Sequence, residues 1–308
     1  MSTPIHVSIG NFNIDIAVYI DKAPGIDESV NARDIDIRPG GAASNYAVAV
    51  SHYGHRAVLV ASVADHLLVK THLESIRRLG VDISHVTYLN ASPGIVISVI
   101  YPDGSRSMIR SLGANAYLSP DKISQEILDS ASVVHMATLH PERAAGIVER
   151  VHGAVMSYDP GIYVNTQRET LETVLKHVDI LFLNSSEFNE LTSKIKPGEL
   201  FKLGVEVLVI KLGSKGAAAV LGDGSIYHAY VKPLGNPIDT TGAGDAFNAF
   251  FNASYIDTRN VMTALRHGVA AGALKTLCKG SILCWNRDLF IKHLELSTIS
   301  KETGMPGF

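Results

Sequence analysis

DTTGAGDAFNAFF, residues 239–251, sets two threonines and two glycines before an aspartate, Asp245, and then runs into apolar sequence. The Gly-Ala-Gly turn carries no side chain larger than a methyl, so backbone N–H groups there can come close to a ligand. The apolar run predicts a helix over about 246–255. A helix starting there aims its unpaired amides and the positive end of its dipole at that same ligand. An aspartate in this place could be a simple cap, worth about 0.5–2 kcal/mol, but a cap needs no close backbone approach and leaves both glycines unexplained. An anion hole beside a carboxylate suits phosphoryl transfer to an alcohol: amides hold the moving charge, and the acid takes the hydroxyl proton late.

The rest of the chain frames this turn. Short Val- and Ile-rich runs recur at 6–10, 56–63, 132–138, 153–159, 178–184 and 206–213. They lack clean alternation, as strands buried on both faces do. Helical segments are expected between them at 43–54, 70–80, 119–131 and 141–153, with a Ser119-Pro120 start and with Gly54, Gly80 and Gly153 at stops. The alternation predicts a three-layer α/β/α fold with a mostly parallel central sheet. Two segments, 14–40 and 94–113, alternate apolar and polar residues instead, and the second contains the hairpin signal Pro102-Asp103-Gly104. They are expected to form a small antiparallel β lid on one domain spanning 1–308.

Composition narrows the class of partner. The chain has 308 residues, 46% hydrophobic and 19% charged, with a net charge of −3 and no dense basic run, which points to a small molecule and away from nucleic acid. No signal-like start and no apolar run of about 18 residues is present, so no membrane association is expected. Cys278 and Cys284 fit neither a zinc site nor a disulfide framework, the pattern of a cytoplasmic protein.

RPGGAASNYAVAVSHYG (38–54) and DTTGAGDAFNAFF (239–251) together resemble the two signatures of the ribokinase-like, or PfkB, carbohydrate and nucleoside kinase family. The likeness extends through GNFNID at 10–15, LGANAYLSP at 112–120, NSSE at 184–187, LGSKG at 212–216 and CKGS at 278–281. The resemblance implies a ribokinase-like fold and an enzyme that transfers phosphoryl from MgATP to a hydroxyl of a sugar or nucleoside. On it, Asp245 is the general base, and the N–H groups of Gly242, Ala243, Gly244 and Asp245 form the anion hole. Asn13, Asp15, Gly41 and Asn45 match substrate-binding positions; Ala42 and Ala43 stand where ribokinases proper have Lys and Gly. Asn184 belongs to the nucleotide side, with Glu187 organising magnesium through water, although Asn-x-x-Glu is equally a capping box. Gly213 and Gly216 match the nucleotide loop, where Lys211 replaces a threonine. Asp239 and the Thr241 carbonyl match a monovalent cation site, taken by K⁺ in several members; a turn-capping Asp239 is the alternative.

Arg106 and Arg110 alternate on the second lid strand and are candidate clamps for a substrate phosphate, which keeps open a phosphofructokinase-like acceptor. Asn115 is expected to anchor the return from the lid, and His140 to be structural. A sugar or nucleoside sensor of the same fold is a further alternative, disfavoured by Asp245 and Glu187. A dinucleotide-binding dehydrogenase lacks its glycine fingerprint, since GNFNID follows the first strand. A homodimer through the lid is the expected assembly.

Overall fold

A computed structural model of the chain describes residues 3–103 and 105–304. The glycine of the expected Pro102-Asp103-Gly104 turn lies outside the described residues. The six apolar runs form strands Ile5–Gly10, Arg56–Ala64, Val133–Ala137, Val155–Asp159, Ile180–Asn184 and Val207–Lys211, paired in parallel within an 11-stranded sheet. Their order is 56–64, 5–10, 133–137, 155–159, 180–184, 207–211. Three antiparallel strands, Ala217–Leu221, Ile226–Tyr230 and Thr298–Glu302, extend one edge.

Both faces of this sheet are covered, which is why the strands do not alternate in sequence. Leu208 and Ile210 enter one core with helices Pro141–Val148, Arg168–Leu175 and Ser185–Thr192. Val207 and Val209 face the opposite core, under helices Ala243–Thr258 and Val261–Thr276. Each fully buried Leu, Val or Phe contributes roughly 1.5–3 kcal/mol. The two long helices meet through a glycine: a Cβ on Gly268 would stand 2.8 Å from the Phe247 ring. One seam is polar. Ser8, His135 and Ser157 lie side by side in register beneath Tyr46 and Asn252; Asn252 donates to both Tyr46 and Ser157, and the Tyr46 ring stacks on His135 at 4.0 Å.

The helix expected over 119–131 is broken into a 3₁₀ turn, Pro120–Lys122, and a short helix, Gln125–Asp129. The Arg150 guanidinium takes the Pro120 and Ile123 carbonyls, the acceptors a continuous helix would use. The remaining helical segments form at Ala42–Tyr53, Leu67–Arg78 and Pro141–Val148; Gly54 closes the first with φ 110°.

A separate small sheet rises beside the strand ends. It consists of two antiparallel hairpin pairs, Asn13–Ile20 with Ala32–Gly40 and Ile95–Ile100 with Arg106–Ser111, joined by parallel pairing of 13–20 with 95–100. Asn115 ties its roots together, holding Phe12 through both main-chain atoms and donating to Asn13 Oδ1 at 2.8 Å. Among the described residues no helix is long and apolar enough to cross a membrane. Cys278 and Cys284, expected to be unpaired, form a disulfide. The chain reverses between them and brings their Cα atoms within 5.7 Å, a proximity that spacing alone does not reveal.

Candidate active site

Three neighbouring parallel strands end on polar residues: Asp159, Asn184 and Lys211 close 155–159, 180–184 and 207–211, with Asn184 and Lys211 in register. The carboxyl ends of such strands are where ligands of open α/β sheets bind. The turn 239–242 runs over this edge into the helix Ala243–Thr258, with Gly242 left-handed at φ 79° as its first cap. No other residue fits there, because a Cβ on Gly242 would lie 2.0 Å from the Ser281 carbonyl oxygen. Of the four expected anion-hole amides, that of Ala243 already donates to the Thr240 carbonyl at 3.2 Å. Those of Gly242, Gly244 and Asp245 have no acceptor among the described residues, as the first turn of a helix dictates.

Asp245 follows in that first turn, and its Oδ2 accepts from Asn45 Nδ2 at 2.8 Å. Burial pushes its carboxyl up to about 7; the Asn45 hydrogen bond opposes this and the nearby Asp159 adds to it. Asn45 is 5% exposed, and its Oδ1 is buried without a partner among the described residues. An orphaned acceptor of this kind is costly unless a ligand or water donates to it.

Asp159, which the sequence reading passed over, is central to the cluster at the strand ends. Its Oδ2 accepts from Lys211 Nζ at 2.5 Å and from Asn248 Nδ2 at 2.7 Å. Burial alone would raise the carboxyl; the ammonium and the amide outweigh it and hold the group below the usual carboxylate range. Lys211 packs below the Gly244 backbone, within 3.4 Å of where a Cβ would be. Asn184 and Glu187 form the capping box that the sequence allowed: Glu187 Oε2 accepts from the Asn184 N–H at 2.8 Å, and Asn184 Oδ1 from the Glu187 N–H at 2.9 Å. Burial first, then Asp159, raises the Glu187 carboxyl. Gly213 opens the 3₁₀ turn Gly213–Lys215 and Gly216 closes it, both with positive φ.

On the other side a cleft of about 610 Å³ opens between the small sheet and the 237–241 and 279–281 loops, with Asp15, Arg38, Arg106, Asp239 and Lys279 in its wall. Asp15 lies over Gly40, accepts from Ser281 Oγ at 3.0 Å, and is lifted by burial to about 6. Gly41, with φ 97°, passes within 2.4 Å, measured from its would-be Cβ, of the Asn11 carbonyl, so backbone crowding explains this glycine. Asn13 is engaged by Asn115. Arg106 reaches across the cleft to Thr241 Oγ1 at 3.0 Å. Arg110 shares its strand face but does not line the cleft, so the two arginines do not form one clamp. His140 caps the helix at 141–148 through Glu142 N–H.

The expected cation residues are differently engaged. The Asp239 carboxylate accepts from the Thr241 and Gly280 N–H groups at 2.9 and 3.0 Å. Its carbonyl accepts from Lys275 Nζ at 3.1 Å. Lys275 is fully buried, and burial lowers its ammonium to about 8. No cluster of three or more His, Cys, Asp or Glu able to hold a metal occurs among the described residues.

Comparison with known proteins gives this geometry a lineage. The chain is 30% identical over 274 residues to the ATP-dependent ribose-1-phosphate kinase of Halopiger xanaduensis, covering 87% of this chain and 90% of that one. It is 28% identical to the ribokinase of Arabidopsis thaliana, over 91% of this chain and 78% of the plant protein. The solved structure of Arabidopsis thaliana ribokinase complexed with ribose and ATP superposes with a TM-score of 0.84 at 26% identity, covering 96% and 99% of the two chains. The Methanocaldococcus jannaschii nucleoside kinase shares the fold, with a TM-score of 0.85 at 22% identity over 94% and 98%. The profile of the pfkB family carbohydrate kinases matches residues 6–288, and the chain belongs to that family and is a kinase.

Proposed function

We propose that this kinase transfers the γ-phosphoryl of MgATP to a hydroxyl of a sugar or nucleoside bound between the small sheet and the strand ends. The carrying observation is the meeting of three unpaired amides, the raised Asp245 carboxyl and the orphaned Asn45 Oδ1 at one helix start. An acceptor hydroxyl at this point loses its proton to Asp245 as its oxygen bonds to phosphorus. The bond from phosphorus to the bridging oxygen breaks, and ADP leaves with that electron pair. The amides of Gly242, Gly244 and Asp245 hold the charge on the moving group. Lys211, steadied by Asp159 and Asn248, supplies a cation under the same oxygens. Gly213 and Gly216 shape the nucleotide loop.

Magnesium fits as a passenger of the nucleotide. The raised Glu187 carboxyl beside Asp159 gives a divalent ion negative charge to balance, yet the described residues form no protein cage for it. Glu187 would hold the ion through water, and the ion would neutralise charge on the β- and γ-oxygens.

Asp15, Asn13 and Asn45 read acceptor hydroxyls, and the small sheet serves as a lid that excludes water. A phosphorylated acceptor is the second reading. Arg106, Arg38 and Lys279 in the cleft wall favour it, as does the similarity to a ribose-1-phosphate kinase. The lid's outer face carries exposed Ile35, Ile37 and Ile109, an apolar patch suited to a second copy of the chain; sedimentation should show a dimer that Ile109→Asp dissociates.

The test of function is ADP release from MgATP against a panel of pentoses, hexoses, their phosphates and nucleosides, with Asp245→Asn as blank. Turnover on one acceptor that vanishes in the variant supports the reading. Silence across the panel, with melting raised by one ligand, would replace it with a sensor.

A further inference from the structure

Asp239 and the Thr241 carbonyl are the positions at which the family resemblance implies K⁺, and their surroundings here do not fit a free ion. Both oxygens of the Asp239 carboxylate accept backbone N–H groups, and its carbonyl faces an ammonium. That ammonium belongs to Lys275, in the last turn of the helix Val261–Thr276. It donates to the Asp239 carbonyl at 3.1 Å and, more weakly, to the Cys278 carbonyl at 3.4 Å. Lysine is almost never fully buried unless it is paired, yet the hydrogen-bond acceptors of Lys275 among the described residues are neutral backbone carbonyls. An ion placed beside it would meet a like charge.

We propose that Lys275 is a positioning residue that serves as this chain's own monovalent cation. The inference rests on the kinase reading above. A single positive charge on a four-carbon tether gathers carbonyls from two segments, 239 and 278, as a bound K⁺ would. Asp239 then holds the Thr241 N–H, one residue before the Gly242 cap. The Gly280 N–H binds the same carboxylate, and the Ser281 carbonyl packs on Gly242. Lys275 thus braces both walls of the turn that presents the amides, without itself touching the phosphoryl group. The consequence is a kinase whose anion hole is set without K⁺, whatever the salt.

The experiment compares wild type and Lys275→Ala in potassium chloride and in tetramethylammonium chloride at equal ionic strength. Affinity for MgAMP-PNP is measured by calorimetry, and folding by thermal melting. Wild type is expected to bind MgAMP-PNP equally, within twofold, in both salts. Lys275→Ala, with the ammonium gone and room left in its place, is expected to bind about tenfold more weakly in tetramethylammonium and to recover in potassium, with its melting temperature raised by potassium alone. Binding by wild type that rises tenfold or more with potassium overturns the proposal, because a separate ion site would then exist. So does a folded Lys275→Ala that binds equally in both salts. If Lys275→Ala fails to fold, the potassium titration of wild type decides alone, and Lys275→Met, which keeps an apolar stem in the cavity, provides the second variant. A wild type that binds no MgAMP-PNP in either salt overturns the kinase reading and this inference with it, an outcome distinct from a loss confined to the variant.

Discussion

The two sides of this site, proposed to take the phosphoryl donor and the acceptor, differ in how far their charged groups are buried. On the donor side the central charged pair is nearly buried and is gripped from several elements. Asp159 at the end of one strand binds Lys211 from a second strand and Asn248 from the helix that carries Asp245, and all of them root in the central layers. On the acceptor side Arg106 is exposed, stands on the small sheet, and makes its one cross-cleft hydrogen bond to Thr241. The small sheet is tied to the body at its roots by Asn115, and along the cleft by Ser281 on Asp15, by the Arg38 guanidinium on the Lys279 carbonyl and by Lys279 on Asp36. On the proposed function, chemistry common to many acceptors rests on nearly buried strand ends, and the choice of acceptor on a more exposed sheet.

The largest effect should come from Asp245→Asn. Turnover is expected to fall about 10²–10⁴-fold with MgAMP-PNP affinity and melting temperature kept; a rate within tenfold of wild type would break the assignment of the base. Next is Lys211→Met, measured as the preference for MgAMP-PNP over MgADP. That preference should drop about 10- to 100-fold, while affinity for MgADP alone stays within a few fold. Because a lone buried Asp159 could cost about 3–5 kcal/mol, the double variant Lys211→Met, Asp159→Asn is the fair comparison.

The third prediction concerns pH. Burial holds the Asp245 carboxyl near 7, and transfer needs it ionised, so kcat/KM should fall about tenfold per pH unit below that value and level off above it. The stability term has the opposite sense. A folded-state pKa above the unfolded value of about 3.9 adds stability that is present in acid and is lost as pH rises through about 7. Asp245→Asn should remove that slope from a melting-temperature profile. The smallest effect is expected on the acceptor side. Arg106→Ala should raise KM about two- to threefold for a neutral acceptor and tenfold or more for a phosphorylated one, so the size of the change separates the two acceptor classes.

Much of the local geometry at the strand ends is legible in the sequence. Buried strands announce themselves as continuous Val and Ile runs, and GAGD encodes its own geometry because Gly242 must be left-handed against Ser281. The capping box at Asn184 and Glu187 is local and was read as such. What stayed hidden depends on pairing at a distance. Asp159 meets Lys211 across 52 residues and Asn248 across 89, and Lys275 reaches Asp239 across 36. An acid at the end of a parallel strand was the one available hint for Asp159, and nothing in the apolar helix around Lys275 marks where its side chain goes. The break in 119–131 was equally out of reach, because Arg150 reaches its carbonyls from the turn after a later helix. Arg110 fell away for a different reason: strand alternation gives a face, but not how far along that face a cleft extends.

The glycine between the two long helices has a consequence for rate as well as packing. Asp245 rides on one helix and Lys275 on the other, and Gly268 lets those helices close until the Phe247 ring fills the space of a missing methyl. That contact works as a spacer gauge. A single added carbon would press on the Phe247 ring, two residues from Asp245, so a shim in the packing would reach the clock as well as the fold.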